Sequence, residues 1–486
     1  MAKKRKNILL IMSDQQRMDT VGAYNMKEFC DVKTPNIDRL AQEGMKFNNA
    51  YTPSAICAPA RAAIMTGLYP HTNGVIDNFT DYKPGVSFLG QCMHDAGYYC
   101  GYAGKWHVSP SRTPRDCGFD DGKPFMGYAF PGSGVYKHLI FNQPPDNKPN
   151  YYEEWLKEHD GDGVDVSHGF LGDNPALQIQ EMFCKLEGRV EDSIEYFVAD
   201  ETRRLIDKAK DTDKPFFIWA NFWGPHSPSI VPEPYYSMYD PASFPEHPSY
   251  KDDMLDKPYG YWLTEKMWGL GDYGWKGFQE IFARYAGHCT LIDDMVGLIV
   301  KKLKETGLYD DTVIVYTCDH GDCMGAHKLI EKGAFTFDEI YHIPMVVKGL
   351  GHTDNDSFVY LHELMPTFLD IAGTQPPTPV QGKSFLDLME DGSRDNGRTE
   401  VYGEYHNHFY VARQRMVRDH EYQLTFNESE RGELYDLKKD PYQIHNVCYD
   451  PAYAKVKEKY MNIMSKHMKE LGDPAGVWFH RIKQWY

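Results

Sequence analysis

The chain has 486 residues, more than one core usually holds, since single cores stop growing near about 250–300 residues, so a main domain with a smaller companion is expected. With 70 Asp and Glu against 52 Lys and Arg the net charge is −18, which argues against nucleic acid as a partner and requires any anionic substrate to be met by a local basic pocket. No stretch approaches the roughly 18–20 apolar residues of a membrane helix, the apolar run at 8–12 is too short for a signal peptide, and ten cysteines without a framework suit a reducing cytoplasm.

In chain order, residues 7–12 form a short apolar run ending in polar residues, the pattern of a buried parallel strand with Asp14 at its carboxyl end. The small-residue run 58–63 marks the start of a helix whose N-terminus favours an anion. Residues 216–222 and 312–317 read as two further buried strands, each followed by His or Asp. Between them, residues 278–306 carry helical apolar spacing, with Tyr285, Leu291, Ile292, Val296, Ile299 and Leu303, and end at Gly307. Near Arg398 the texture changes to short alternating segments at 399–402, 422–425 and 433–437, then a last helix. That predicts a catalytic domain over 1–395 and a small antiparallel subdomain over 396–486. Periodicity alone specifies the class α/β, with pockets expected at the carboxyl ends of the strands.

Asp14 and Gln15 after the first strand, with Asp319 and His320 after a later one, supply hard oxygen ligands and one imidazole for a divalent cation. Calcium is favoured, with magnesium, manganese and zinc admitted. Lys105 and His107, two apart, would point the same way on an extended segment. Aromatics between Cys117 and Glu280, among them Tyr128, Tyr136, Tyr152, Trp155, Tyr261 and Trp262, serve either sugar stacking or the packing of insertions. His406, Asn407 and His408 form either a pocket mouth or a solvated turn.

Cys57-Ala58-Pro59-Ala60-Arg61, followed by Thr66-Gly67, resembles the maturation signature of the type I sulfatases of the alkaline phosphatase superfamily. Four further stretches are similar to that family's elements: 7–15 with 318–321 at the metal, Gly104-Lys105-Trp106-His107, Pro225-His226-Ser227-Pro228, and 325–333, where Lys332 rather than Lys328 matches the active-site lysine. Asp14-Gln15 with Asp319-His320 resembles the choline-sulfatase and phosphonate-monoesterase branches. Leu434-Tyr435-Asp436-Leu437, then Asp440-Pro441, also resembles the family.

The resemblance implies a mixed, mostly parallel sheet flanked by helices, with a C-terminal four-stranded antiparallel subdomain. It further implies that a formylglycine-generating maturation enzyme oxidises Cys57, whose hydrated aldehyde then attacks the sulfur of a small sulfate ester. Asp14, Gln15, Cys57, Asp319 and His320 would hold the metal. Lys105, Lys332 and Arg61 would neutralise the sulfate oxygens, His226 would protonate the leaving alcohol and His107 would act as base. Asn78, and His71 nearby, fall where the family often has substrate-side polar groups. The alternatives are a phosphonate monoester or phosphodiester hydrolase on the same scaffold, and a non-catalytic member that binds anionic sugars.

Overall fold

Alternation along the first strand decides the layering, because successive side chains of a strand face opposite sides. In β1 (Asn7–Asp14), Leu9 and Ile11 enter one core and Ile8, Leu10 and Met12 the other, and all five are buried. The computed structural model describes residues 5–24, 30–125, 151–159, 165–167, 182–268, 274–390, 395–408 and 412–485; Tyr128 and Tyr136 lie outside them.

The remaining strands of the main sheet are β2 (Met45–Tyr51), β3 (Tyr99–Lys105), β4 (Asp121–Phe125), β5 (Phe216–Pro225), β6 (Thr312–Cys318), β7 (Met345–Lys348) and β8 (Asn355–Tyr360). Their order is β8-β2-β7-β6-β1-β5-β3-β4. Only β7 runs against its neighbours. The three strands read from the sequence, β1, β5 and β6, are adjacent, with Ile11 opposite Ala220 on one side and Tyr316 on the other.

Helices cover both faces, as an all-buried sheet requires. α1 (Pro35–Glu43) joins β1 to β2, and α2 (Cys57–Thr66) follows β2. α3 (Ile194–Lys210) and α4 (Gly274–Glu305) pack on the Leu9 and Ile11 face. α2 and α5 (Leu364–Ala372) pack on the Leu10 face. α4 is the predicted crossover helix, begun four residues earlier than its periodicity indicated.

The C-terminal sheet is β9 (Val401–Tyr405), β10 (Gln414–Arg418), β11 (Tyr422–Asn427) and β12 (Glu433–Asp436), antiparallel in sequence order. α6 (Ala454–Leu471) closes one face through Tyr460, Met461, Met464 and Met468. The other face, with Val401, Met416 and Tyr435, rests on Tyr51, Phe337 and Tyr360 of the larger unit. Tyr152, Trp155 and Tyr261 are buried in packing, whereas Trp262 is exposed beside Tyr259.

Gly104 shows how tightly the strand ends are held. Its φ is +90°, and a Cβ there would lie 1.9 Å from the Asn221 carbonyl oxygen on the neighbouring β5. Gly307 has φ +72° with nothing within 4 Å of a Cβ. Gly307→Ala should therefore cost only the left-handed backbone, about 1–2 kcal/mol. Gly104→Ala should add a backbone collision that moves Lys105, and we expect a melting temperature several times further depressed than in Gly307→Ala, read by calorimetry.

Candidate active site

The carboxyl ends of β1, β3, β5 and β6 meet at one edge of the sheet, and each delivers a polar group there: Asp14, Lys105, His226 just after β5, and Asp319 with His320 just after β6. α2 points its first turn at the same place, with Cys57 as its first residue and 1% exposed. Ile56 precedes it and offers no capping oxygen, so Asn78 supplies one, accepting the Ala58 N–H at 3.1 Å. The helix N-terminus thus adds its dipole to whatever negative charge sits at Cys57.

Arg61 lies one turn on, on the same face as Cys57. Its guanidinium donates to Asp14 Oδ2 at 2.8 Å, Asp319 Oδ2 at 2.9 Å, Asn221 Oδ1 at 2.9 Å and the Lys105 carbonyl at 3.2 Å. Wholly buried and engaged in this way, it holds the two carboxylates from behind. The expected contact of Arg61 with sulfate oxygens is therefore corrected: its donors are taken by the groups that face the ligand.

The atoms around Cys57 Sγ are His320 Nε2 at 3.2 Å, Asp14 Oδ1 at 3.8 Å and Lys105 Nζ at 3.9 Å, and the His107 ring hydrogen-bonds to it. Lys105 also pairs with Asp14 Oδ2 at 2.6 Å and lies 4.4 Å over the Trp223 ring. His107 has φ +37°, so the chain turns after β3 instead of running extended; His107 reaches Cys57 through that turn and not through the two-residue alternation expected. Burial would raise the Cys57 thiol, but Lys105, Lys332 and His320 outweigh it and hold it well below the ordinary value. Burial also opposes ionisation of Asp14, as does the Cys57 charge, yet Lys105, His226 and Arg61 keep its carboxyl well below the usual range. Burial lowers the His107 imidazole and leaves it neutral.

Ligand atoms of Asp14, Cys57, Asp319 and His320 lie within 4.8 Å of one another. The His320 Nδ1–H donates to the Gly321 carbonyl at 2.9 Å, which turns Nε2 toward Cys57. Burial opposes its charge, but Asp319 and Cys57 outweigh it and raise the imidazole to about 9, so a cation would bind in place of the Nε2 proton. Two carboxylates and one oriented imidazole fit a divalent cation. Gln15 is different. Its Oε1 accepts from Lys332 Nζ at 2.6 Å, its amide donates to Asp322, and its backbone N–H donates to Asp319. Its side chain links Lys332 to Asp322, and only its backbone N–H meets a cation donor, so the expected side-chain ligation by Gln15 is corrected.

Across from Lys105 stands the pair Lys332 and His226, with Nζ 2.7 Å from Nε2. His226 Nδ1 bonds the Ser227 carbonyl, so Nε2 accepts from Lys332. At 15% side-chain exposure His226 is more open than Lys105 at 2% and Lys332 at 3%. Residues that carried no role in the sequence reading complete the ring. Glu331 pairs with Lys332 at 2.9 Å, and Asp322 lies beside it, its carboxyl raised to about 6 by burial and the Glu331 charge. Asn221 and Trp223 are hidden in an apolar strand, where only their position near a carboxyl end hinted at them. His408 lies 3.5 Å from the Asn78 amide and is buried, so it is not on a solvated turn. His71 is placed elsewhere: it bonds Glu404 of the C-terminal sheet at 2.7 Å and does not face the substrate side.

Residues 6–374, most of the chain, match the family described as Sulfatase, and 325–470 match N-sulphoglucosamine sulphohydrolase, C-terminal. The chain belongs to the sulfatase family. It is a hydrolase of the alkaline phosphatase superfamily, and the activity is cleavage of sulfate esters. An arylsulfatase of Clostridium perfringens is 29% identical over 96% of this chain and 95% of its own length. An N-acetylglucosamine-6-O-sulfatase of Bacteroides thetaiotaomicron is 25% identical over 97% and 87%. Among solved structures, a phosphonate monoester hydrolase of Agrobacterium radiobacter superposes with a TM-score of 0.78, at 23% identity and 96% coverage of both chains, which bears out the fold of the sulfatase.

The depressed Cys57 thiol has a direct readout in unconverted sulfatase stripped of metal. A thiol whose ionisation is favoured in this way forms its thiolate at a lower pH than an ordinary cysteine does. Absorbance at about 240 nm should show one thiolate forming well below the usual thiol pKa of about 8.5, absent from Cys57→Ser, because burial holds thiols such as Cys318 and Cys323 up.

Proposed function

We propose that the sulfatase hydrolyses a small sulfate ester, of an aryl or carbohydrate alcohol, using formylglycine formed from Cys57 and one divalent cation, calcium by preference. The observation that carries this is the convergence on Cys57 of a helix N-terminus, Lys105, His107, His320 and Asp14. That set is built to bind a tetrahedral anion beside the nucleophile position. The family's arylsulfatase and N-acetylglucosamine-6-O-sulfatase members support both substrate classes. The ten cysteines, all free and buried, are compatible with a reducing cytoplasm as the compartment.

Asp14, Asp319, His320 and position 57 would hold the cation. When bound, it supplies charge neutralisation for the sulfate oxygens and polarises the nucleophile. Lys105, fixed by Asp14 and the Trp223 face, offers its remaining proton to a sulfate oxygen. Lys332, its three protons directed to Glu331, Gln15 and His226, adds positive charge on the opposite side. A formylglycine hydrate at position 57 would supply the attacking hydroxyl, whose proton would pass to Asp14 Oδ1 beside it as oxygen bonds sulfur, and the leaving alcohol would depart on the side where His226 stands. As the sulfur–oxygen bond breaks, its electron pair stays with the alcohol oxygen, which takes a proton from the His226 and Lys332 pair. His107, neutral and bonded to position 57, takes the proton whose loss lets the enzyme-bound sulfate be expelled. The net reaction adds one water and yields an alcohol and inorganic sulfate.

Phosphonate monoesters are the competing substrates, favoured by the cation pair at Asp14-Gln15 and Asp319-His320 and by the structural neighbour. The presence of both Lys105 and His107 at Cys57 favours sulfate. Co-expression with a formylglycine-generating enzyme, peptide mass spectrometry of position 57, and turnover of an aryl sulfate and an aryl phosphonate monoester test the choice. Conversion with dominant sulfate release is expected; dominant phosphonate cleavage, or full conversion without turnover, overturns the proposal. In the same assay Cys57→Ser should abolish or trap turnover. His226→Ala should lose about 10²–10⁴-fold in kcat/KM on esters of poor leaving groups and much less on 4-nitrophenyl sulfate.

A further inference from the structure

The pair His226 and Lys332 is held by a third residue that does not itself face the substrate. Glu331 is buried at 4% exposure, and its φ is +64°. A non-glycine residue occupies that region at a cost, and it persists only where its surroundings over-determine it. Here they do. The Glu331 N–H donates to Asp322 Oδ1 at 2.8 Å, and its carbonyl accepts the Cys323 N–H at 3.0 Å. This backbone places the carboxylate between two segments that are far apart in sequence. Oε1 accepts from the Ser227 hydroxyl and Oε2 from Lys332 Nζ at 2.9 Å.

A lysine ammonium has three protons, and Lys332 directs one each to Glu331, to Gln15 Oε1 at 2.6 Å and to His226 Nε2 at 2.7 Å. Three fixed directions leave the ammonium no freedom to swing. Ser227 is also the residue whose carbonyl bonds His226 Nδ1 and so turns Nε2 toward Lys332. Glu331 therefore grips both members of the pair, Lys332 directly and His226 through Ser227. Fold stability alone does not account for the arrangement, since a buried ion pair roughly breaks even against an apolar replacement.

We propose that Glu331 is the positioning residue of the leaving-group acid, and that its presence fits the sulfatase to esters of poorly departing alcohols, such as aliphatic sugar hydroxyls. This rests on the assignment of His226 above. In the step concerned, the sulfur–oxygen bond breaks and its electrons remain on the alcohol oxygen. That oxygen takes a proton from the His226 and Lys332 pair, which is reprotonated from water after the alcohol leaves. Glu331 stays ionised throughout. An ester whose alcohol departs readily as an anion needs no such proton, so the role is visible only as the leaving group worsens.

The test is kcat/KM for converted wild type and Glu331→Gln across a series of substituted phenyl sulfates, from 4-nitrophenyl to unsubstituted phenyl, with formylglycine content measured in each preparation. Gln keeps an acceptor for Ser227 but not the charge on Lys332. The expected result is a steeper dependence on leaving-group pKa, with a loss at least about tenfold greater on phenyl than on 4-nitrophenyl sulfate, within the range of general acid catalysis. Equal losses across the series, or none, overturn the inference. Where Glu331→Gln does not fold, Glu331→Asp, which withdraws the carboxylate by one methylene, should show the same steepening and is read by the same criterion. A converted wild type that turns over no member of the series overturns the proposed function, and this inference with it; normal wild-type turnover with parallel variant losses overturns the inference alone.

Discussion

Two carboxylates on neighbouring strands, Asp14 and Asp319, are buried within reach of one guanidinium, and the rest of the site depends on that arrangement. Left alone they would repel each other and protonate, because charge without a partner is expensive away from water. Arg61 answers both, at 2.8 and 2.9 Å, and fixes each oxygen that remains facing the cleft. Because Arg61 is one turn from Cys57, the same bonds set the rotation of α2 and aim its first residue at the strand ends. Breaking a buried pair of this kind by removing one partner typically costs about 3–5 kcal/mol. Here it would also misplace the nucleophile position.

The C-terminal unit is fastened to this arrangement by a second charged cluster. Glu404 of β9 accepts from the His71 backbone and ring at 2.9 and 2.7 Å, just beyond the end of α2. Arg415 of β10 binds Asp473, and its guanidinium lies 3.7 Å from Glu404. Burial would lower the His71 imidazole, but Glu404 outweighs it and raises it. The antiparallel sheet is thereby indexed against the nucleophile helix, and His408, following β9, arrives beside Asn78.

The sequence disclosed those parts whose signal is local. Buried strands followed by Asp or His announced β1, β5 and β6 and their polar ends, and the long apolar period announced α4. Cys57, Lys105, His107, His226, Asp319, His320 and Lys332 converge as their motifs implied. Relations between distant segments were hidden. Arg61 looks like an anion ligand in a motif, and only the positions of Asp319 and Asn221, more than a hundred residues away, turn it inward. The two-residue spacing of Lys105 and His107 suggested an extended segment, but a positive φ at His107 bends it. Glu331 stood in plain view as an ordinary charged loop residue, because nothing in a sequence shows that a carboxylate is sealed between Ser227 and Lys332. β10 went unread because its Gln414-Arg415 start is polar yet buried against partners the chain supplies elsewhere.

The sheet order also governs when the molecule can assemble. β1 is the strand that carries Asp14, and its two neighbours are β5, at 216–225, and β6, at 312–318. As the chain emerges from its N-terminus, β1 stays without a hydrogen-bonding neighbour through some two hundred residues of synthesis and keeps an open edge for about a hundred more. Such non-local closure is slow compared with helix formation. The segment around Cys57 meets its strand-end partners only after that closure, and then becomes almost inaccessible to solvent. Any enzyme that must handle the Cys57 side chain has its opening in that interval, and the topology of the sheet sets how long the interval lasts.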